Sequence, residues 1–113
     1  MAYDEELAAR IRILVGSEGG LTEQRMFGGL AFLVNGNMSV AASGQGGILV
    51  RVDPADSPAL VSDTAAYPME MRGRSMDGWL RVDANRLADD GTLEEWVGRG
   101  IGYARSLPPK KRG

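Results

Sequence analysis

The chain has 113 residues, of which 43% are hydrophobic and 25% charged, and its formal net charge is −2. These values are those of one globular domain, and they exclude a largely disordered chain or one drawn to nucleic acid by its overall charge. Cysteine and histidine are both absent, which excludes disulfides, zinc sites built from thiolate or imidazole, and Ser-His-Asp or Cys-His catalysis.

The N-terminal segment begins with acidic residues and then becomes amphipathic. Leu7, Ile11 and Leu14 recur at the helical period, which predicts a helix over residues 3–15, and Gly16 suits its C-terminal end. The acidic start does not resemble a signal peptide, and no apolar run of the sequence reaches the roughly 18–20 residues that cross a bilayer. We therefore expect a cytoplasmic protein that has no contact with a membrane.

The segment after this helix predicts a three-stranded meander. Arg25–Val34 has the composition of one long strand, in which the two glycines favour a bend or bulge. The Asn35-Gly36 pair favours a type I′ hairpin, because that turn needs a positive φ at both central positions. The apolar runs Met38–Ala42 and Ile48–Val52 then complete the meander.

A weaker helical pattern follows over residues 57–66, ahead of Pro68. Beyond it, Met69–Arg72 and Trp79–Val82 predict two further strands. The segment Met76–Gly78 lies between them and ends in an Asp-Gly pair. That pair predicts the hairpin that joins the two strands.

The C-terminal part predicts one clear helix. Thr92 and Glu95 form a capping-box pattern at its start, and Pro108 follows its end. The resulting element order is α-β-β-β-α-β-β-α, which predicts a two-layer α+β fold with an antiparallel five-stranded sheet. We predict a single domain over residues 1–109, followed by a basic tail at residues 110–113.

One combination of motifs is more specific than any of its parts. In chain order, its pieces are Arg25-Met26-Phe27-Gly28-Gly29, Asn35-Gly36, Pro68-Met69, Gly78-Trp79 and a final helix that contains Trp96. From about residue 4 to residue 109, this pattern resembles the N-terminal domain of the bacterial competence regulator TfoX, also called Sxy.

The resemblance implies a two-layer fold with an antiparallel sheet, of the secretion-chaperone-like type, and this agrees with the element order. It also implies a regulatory role, since the family's regulators promote transcription of competence genes together with a partner activator. Full-length members carry a second, C-terminal helical domain, which we expect this chain to lack. The family implies no catalytic residues, cofactor or metal.

Two features of the expected sheet indicate candidate binding residues. The first long strand is apolar on both faces, with Phe27 and Leu33 on one of them. By alternation, the other strands gather arginines and one tryptophan on the face that the helices leave open. The predicted partner-binding set is therefore Phe27, Leu33, Arg51, Arg72, Arg74, Trp79 and Arg81.

The sequence leaves several interpretations of that face open. It is a solvated face on which arginines pair with Glu70, a protein interface, or a nucleic-acid surface on which Arg and Trp contact phosphates and bases. A small carboxylate-based enzyme is a further interpretation, but capping of a helix N-terminus explains the Asp89-Asp90 pair. We predict a non-enzymatic regulatory or adaptor domain that binds a protein partner or a second copy of itself, as a dimer, without cofactor or metal.

Overall fold

The computed structural model describes residues 3–16, 19–26 and 28–109. This part of the chain contains three α-helices, six β-strands and a short 3-10 helix at Ala84–Arg86. The helices are α1 (Glu5–Val15), α2 (Ser57–Asp63) and α3 (Asp90–Ser106), and the strands are β1 (Leu21–Met26), β2 (Gly29–Val34), β3 (Asn37–Ala42), β4 (Ile48–Arg51), β5 (Tyr67–Met71) and β6 (Arg74–Val82). None of these helices is both long and apolar enough to cross a membrane. The predicted tail at 110–113 lies outside the described residues.

The six strands form one antiparallel sheet in the order β1-β2-β3-β4-β6-β5. The predicted α+β class and antiparallel sheet are confirmed, but the predicted number of five strands is wrong, because β1 is a sixth. Residues 22–25 of β1 are polar and exposed. As an edge strand, β1 lacks the apolar alternation by which a strand is recognised in sequence.

The long strand predicted over Arg25–Val34 is in fact two strands. The first ends at Met26, and Gly28, with a φ of +76°, turns the chain into β2. Gly29 follows at a crowded position, where a Cβ would overlap the carbonyl oxygen of Ala42. The two glycines, which were expected to bend or bulge one strand, thus lie where one strand gives way to the next.

The second hairpin turns at a different place from the one predicted. Arg72 and Gly73 connect β5 to β6 with φ values of 55° and 78°, both positive as a type I′ turn requires. The predicted turn over Met76–Gly78 is wrong, because these residues lie within β6. There, residues 77–79 have no partner on β5, and Gly78 has a φ of +83°. An Asp-Gly pair suits such a bulge as well as a hairpin, because both need positive φ.

Side-chain hydrogen bonds define where two of the helices begin. Asp4 accepts from the backbone N–H of Leu7 at 3.1 Å and caps α1. The predicted capping box at the start of α3 is wrong, because Asp89 is the N-cap. Its carboxylate accepts from the backbone N–H of Thr92 at 3.0 Å and from the hydroxyl of Thr92 at 3.2 Å. Asp and Thr are both good caps, so the sequence contains two competing signals three residues apart.

α1 and α3 pack on one face of the sheet and bury the main core. Alternate residues of the central strands point into it, among them Phe32, Ile48 and Leu80, which expose no surface. α3 approaches the sheet closely because Gly100 has no side chain, and a Cβ there would lie 2.5 Å from the carbonyl oxygen of Ser39. The predicted two layers are thus one helical layer on one face of the sheet.

Candidate partner-binding face

The side of the sheet turned away from α1 and α3, which we call the open face, carries a second apolar cluster. Because side chains alternate along a strand, β2 places Phe32 in the main core and Ala31 and Leu33 on the open face. Met38, Ala41 and Leu49 of β3 and β4 complete the open-face cluster. All five of its residues are at most 9% exposed, and it contains strand residues only. The prediction of a strand that is apolar on both faces is confirmed for β2.

Curvature of the sheet explains why these residues are buried without a helix above them. Met26 of the edge strand β1 and Met69 of the opposite edge strand β5 both pack against the open-face cluster. Both also line the same hollow, so the sheet curls until its two edges approach each other across the open face. Alternation along one unbroken strand predicts Met26 on the side of Phe32, but the turn at Gly28 interrupts the strand and places it here.

This methionine hollow is small and apolar. Its walls include Met26, Met38 and Met69, and its volume is about 70 Å³. That is room for about two water molecules, far below the roughly 300–1,000 Å³ of a metabolite site. Methionine side chains are unbranched and change rotamer readily, so the walls of the hollow can adjust in shape.

Arg51, the last residue of β4, is held between two aromatic rings. It pairs with Trp79 across β4 and β6, and its guanidinium carbon lies 5.1 Å from the centroid of the Trp79 ring. The same carbon lies 5.7 Å from the ring centroid of Tyr103 on α3. Both distances are within the cation–π range of about 6 Å. The rings fix the position of the guanidinium without neutralising its charge.

Arg81 lines the hollow itself. It pairs across the sheet with Leu49 of the open-face cluster. Its guanidinium donates to the hydroxyl of Ser43 at 3.1 Å and to the carbonyl oxygen of Gly46 at 3.4 Å, which ties it to the loop between β3 and β4. Both acceptors are neutral, so a positive charge remains at the mouth of the hollow.

The other members of the predicted set are more widely spread. Arg74 is exposed on β6 and shares a face with Met76, which pairs with Met69 on the open face. Arg72 was expected on a strand, but it is exposed in the hairpin turn. Phe27 lies outside the described residues, so its role stays a prediction. The structure thus brings Leu33, Arg51, Trp79 and Arg81 to one face, with Arg74 at its margin.

One interpretation of the sequence was that arginines of this face pair with Glu70. The structure does not form this pairing. Glu70 pairs in register with Ser75, whereas Met69 pairs with Met76. Glu70 therefore points to the side of the sheet opposite the open face. Glu70 therefore does not neutralise the arginines of the open face, which argues against the interpretation of that face as a solvated surface of paired charges.

One ion pair holds the edge of the sheet to the helical layer. Arg12 of α1 donates from Nε and Nη2 to the two carboxylate oxygens of Glu23 of β1, at 2.7 and 2.9 Å. The hydrogen bond from Arg12 lowers the pKa of the Glu23 carboxyl, and the bond to Glu23 raises the pKa of Arg12. The pair lies on the helical side of the sheet, where it fastens β1 to α1.

A larger groove, which no sequence motif indicated, lies between α2 and α3. Its volume is about 460 Å³, and it is lined by Val52, Asp53, Asp56, Ala59, Leu60, Arg99 and Tyr103. Asp53 accepts from the backbone N–H of Ala55 at 2.9 Å, and Arg99 stacks 4.6 Å from the ring of Trp96, so both charges serve the local fold. In the described ranges, no group of three or more side chains could hold a metal ion. The groove contains no arrangement that specifies a reaction.

Comparison with known proteins gives one family. The sequence model of the TfoX N-terminal domain matches residues 14–104, which include all six strands and most of α3. A search of curated proteins gives no match.

Proposed function

The chain belongs to the TfoX N-terminal domain family, and from that premise we propose that it is a non-enzymatic regulatory domain of the cytoplasm that binds another protein across the open face. The role that the family resemblance implies for it is the control of transcription. One observation carries the proposal, namely the second apolar cluster, which is built on the sheet face turned away from α1 and α3.

The composition of the open face supports this role. When helices cover one face of an antiparallel sheet, the other face is commonly polar and solvated. Here Leu, Met and Ala form its centre, and Trp79, Arg51 and Arg81 surround them. Trp, Met and Arg are enriched in protein interfaces, and buried Trp and Arg contribute most to binding energy. The face therefore has the composition of an interface.

Site-specific photo-crosslinking in the native cell tests the proposal. A photo-reactive amino acid replaces Met76, which is half-buried on the open face, and in a control it replaces Ile13, which is 80% exposed on α1. Both positions are reachable, but they lie on opposite sides of the sheet. We expect discrete crosslinked proteins from position 76 that are absent from position 13. No product at position 76, or the same products at both positions, contradicts the proposal.

A second copy of the chain is one form that the partner can take. Leu33→Asp introduces a carboxylate into the open-face cluster and is expected to weaken self-association, as measured by sedimentation. Because Leu33 is buried, Met76→Asp serves as a second variant at a half-buried position of the same face. A parent chain that stays monomeric at high concentration contradicts the dimer and leaves binding to a different protein.

Direct nucleic-acid binding is the second candidate, and the stack of Arg51 on Trp79 favours it, since such pairs stack bases and contact phosphates. Nucleic-acid binding requires an affinity for DNA that falls steeply as the salt concentration rises. The affinity must also fall when Arg51 and Arg74 are both replaced by Glu. A flat titration of the parent chain with single-stranded DNA at low salt contradicts it.

A further inference from the structure

We infer that the open face binds an acidic, amphipathic segment of a different protein, whose apolar side chains enter the methionine hollow while its carboxylates lie beside the arginines. This inference rests on the proposed function and specifies the chemistry of the partner. Two independent properties of the face, its charge and its shape, support it.

The register of the sheet places three arginines on the open face. Cross-strand partners share a face, so Arg51 and Arg81 lie beside Trp79 and Leu49, and Arg74 lies beside Met76. Glu70 pairs with Ser75, and Glu23 pairs with Phe32. The carboxylates of these two glutamates therefore lie on the side of the sheet opposite the open face. The register-paired residues of the open face therefore include three arginines and no carboxylate.

The carboxylate of Asp83, which follows the end of β6, already has a donor. The hydroxyl of Tyr67 donates to the carboxylate of Asp83 at 2.6 Å. Two of the three arginines are also held in place, Arg51 by aromatic rings and Arg81 by the β3–β4 loop. A partner that supplies carboxylates meets charges that need little ordering, which lowers the entropic cost of binding.

The shape of the face selects a segment with apolar side chains over a small molecule. The hollow of about 70 Å³ is too small for a metabolite, but it takes one side chain when the methionines adjust. Flexible methionine surfaces accept the apolar side of amphipathic helices. A segment with regularly spaced apolar and acidic residues would place an apolar side chain in the hollow and carboxylates beside the arginines at the same time.

The same charge pattern argues against a second copy as the occupant. A two-fold contact places one patch against itself, so Arg51, Arg74 and Arg81 of one molecule would face the arginines of the other. Like charges in contact oppose association. A curved face also leaves a gap against a copy of itself, whereas a narrow segment fills it.

A designed peptide tests the inference with the full 113-residue chain. The probe is a 16-residue peptide with leucines at helical spacing on one side and glutamates on the other. One control peptide replaces every glutamate by lysine, and another permutes the sequence so that the two sides are lost. Binding is measured by fluorescence anisotropy of the labelled peptide at low and at physiological salt. We expect the acidic amphipathic peptide to bind at least about tenfold more tightly than either control.

Matched charge reversals locate the contact. Arg74→Glu is expected to weaken binding of the acidic peptide about five- to tenfold, whereas Arg25→Glu changes the net charge equally on the opposite side of β1. Arg25 pairs with Leu30 of the main core, so its substitution is expected to leave the affinity within about twofold. Intrinsic fluorescence gives a second measurement, because Trp79 is half-buried on the open face and Trp96 is buried in the main core. The peptide-induced change should disappear in Trp79→Phe.

The outcomes separate this inference from the proposed function. Crosslinked partners at position 76 together with equal binding of the acidic and basic peptides overturn the acidic partner and leave protein binding intact. Equal binding of the permuted acidic peptide, or of single-stranded DNA, shows a charged surface without the apolar contact and also overturns it. If the two charge reversals weaken binding equally, the contact is not on the open face. The absence of both crosslinks and peptide binding contradicts the proposed function as well.

Discussion

The two faces of the sheet are both apolar, yet they are built from different side chains. Phe32, Ile48 and Leu80 interlock with α1 and α3 on the covered face, where close packing in fixed rotamers makes a stable core. The open face has alanines at its centre and methionines at its hollow, which pack with less shape specificity. The difference teaches that two faces of one sheet can be buried equally well by side chains that differ in how specifically they pack.

The same substitution on neighbouring strands gives the largest contrast between the faces. Leu80 of β6 exposes no surface in the main core, and Leu49 of β4 is 8% exposed on the open face. Leu80→Ala is expected to lower the free energy of unfolding by about 4 kcal/mol, and Leu49→Ala by about 2 kcal/mol, because the methionines can collapse into the smaller gap. Urea denaturation at constant m-value measures both. Equal losses would show that the open face is as rigid as the core.

A pair of glycines on α3 tests how closely the helical layer must sit on the covered face. Gly100→Ala pushes a Cβ to 2.5 Å from the carbonyl oxygen of Ser39, whereas a Cβ at Gly102 meets nothing within 4 Å. We expect Gly100→Ala to lose about 2 kcal/mol through overpacking and Gly102→Ala to gain up to about 1 kcal/mol from helix propensity. Thermal unfolding of the two variants decides between them. A stabilised Gly100→Ala would mean that α3 can move away from the sheet without cost.

The ion pair at the edge of the covered face gives a smaller, pH-dependent effect. The pKa of Glu23 is lowered from its ordinary value of about 4.5 in the folded chain, so the stabilisation by this pair is present above that value. It is lost as the pH falls through the lowered pKa, when the folded chain must also take up the proton. We expect Glu23→Gln to reduce the Tm slightly at pH 7 and to have no effect near pH 2, with the difference shrinking in high salt. Glu70→Gln, which removes a carboxylate of the same sheet that makes no ion pair among the described residues, is the matched control.

The smallest expected effect lies at the hairpin beside the open face. The two type I′ turns begin with Asn35, at a φ of 52°, and Arg72, at a φ of 55°. Asparagine tolerates this left-handed conformation better than arginine. Arg72→Asn should therefore gain about 0.5 kcal/mol and Asn35→Arg should lose a similar amount, as judged by paired denaturation curves. If Arg72→Asn has no benefit, the arginine makes a compensating contribution at this turn.

Local signals predicted the parts of the fold that depend on neighbouring residues. The Asn35-Gly36 turn, the two-sided apolar character of β2 and the helix at the C-terminus follow from the sequence because turn chemistry and periodicity act over a few residues. β1 was missed because an exposed edge strand buries little and needs no apolar alternation. The sequence predicts one strand over Arg25–Val34 instead of two, because glycine is compatible both with a bend in a strand and with a turn between two strands.

The candidate site was predictable only where the alternation of the strands is unbroken. Arg51, Trp79 and Arg81 share a face as expected, since β4 and the second half of β6 are regular. Glu70 was misplaced because the irregular pairing near Pro68 and residues 77–79 changes which residues face each side. The contact of Arg51 with Tyr103 and the methionine hollow depend on how distant elements meet and on the curvature of the sheet, which no short-range pattern encodes.

The two edge strands have a consequence for how the molecule avoids aggregation. An unprotected edge offers free N–H and C=O groups to a strand of another chain. β1 places the charged Glu23 and Arg25 along one edge, while Pro68 in β5 removes a donor from the other, and an irregular pairing follows it. Strand addition is thereby disfavoured at both ends of the sheet. Both edges are therefore poor templates for continuous intermolecular sheets.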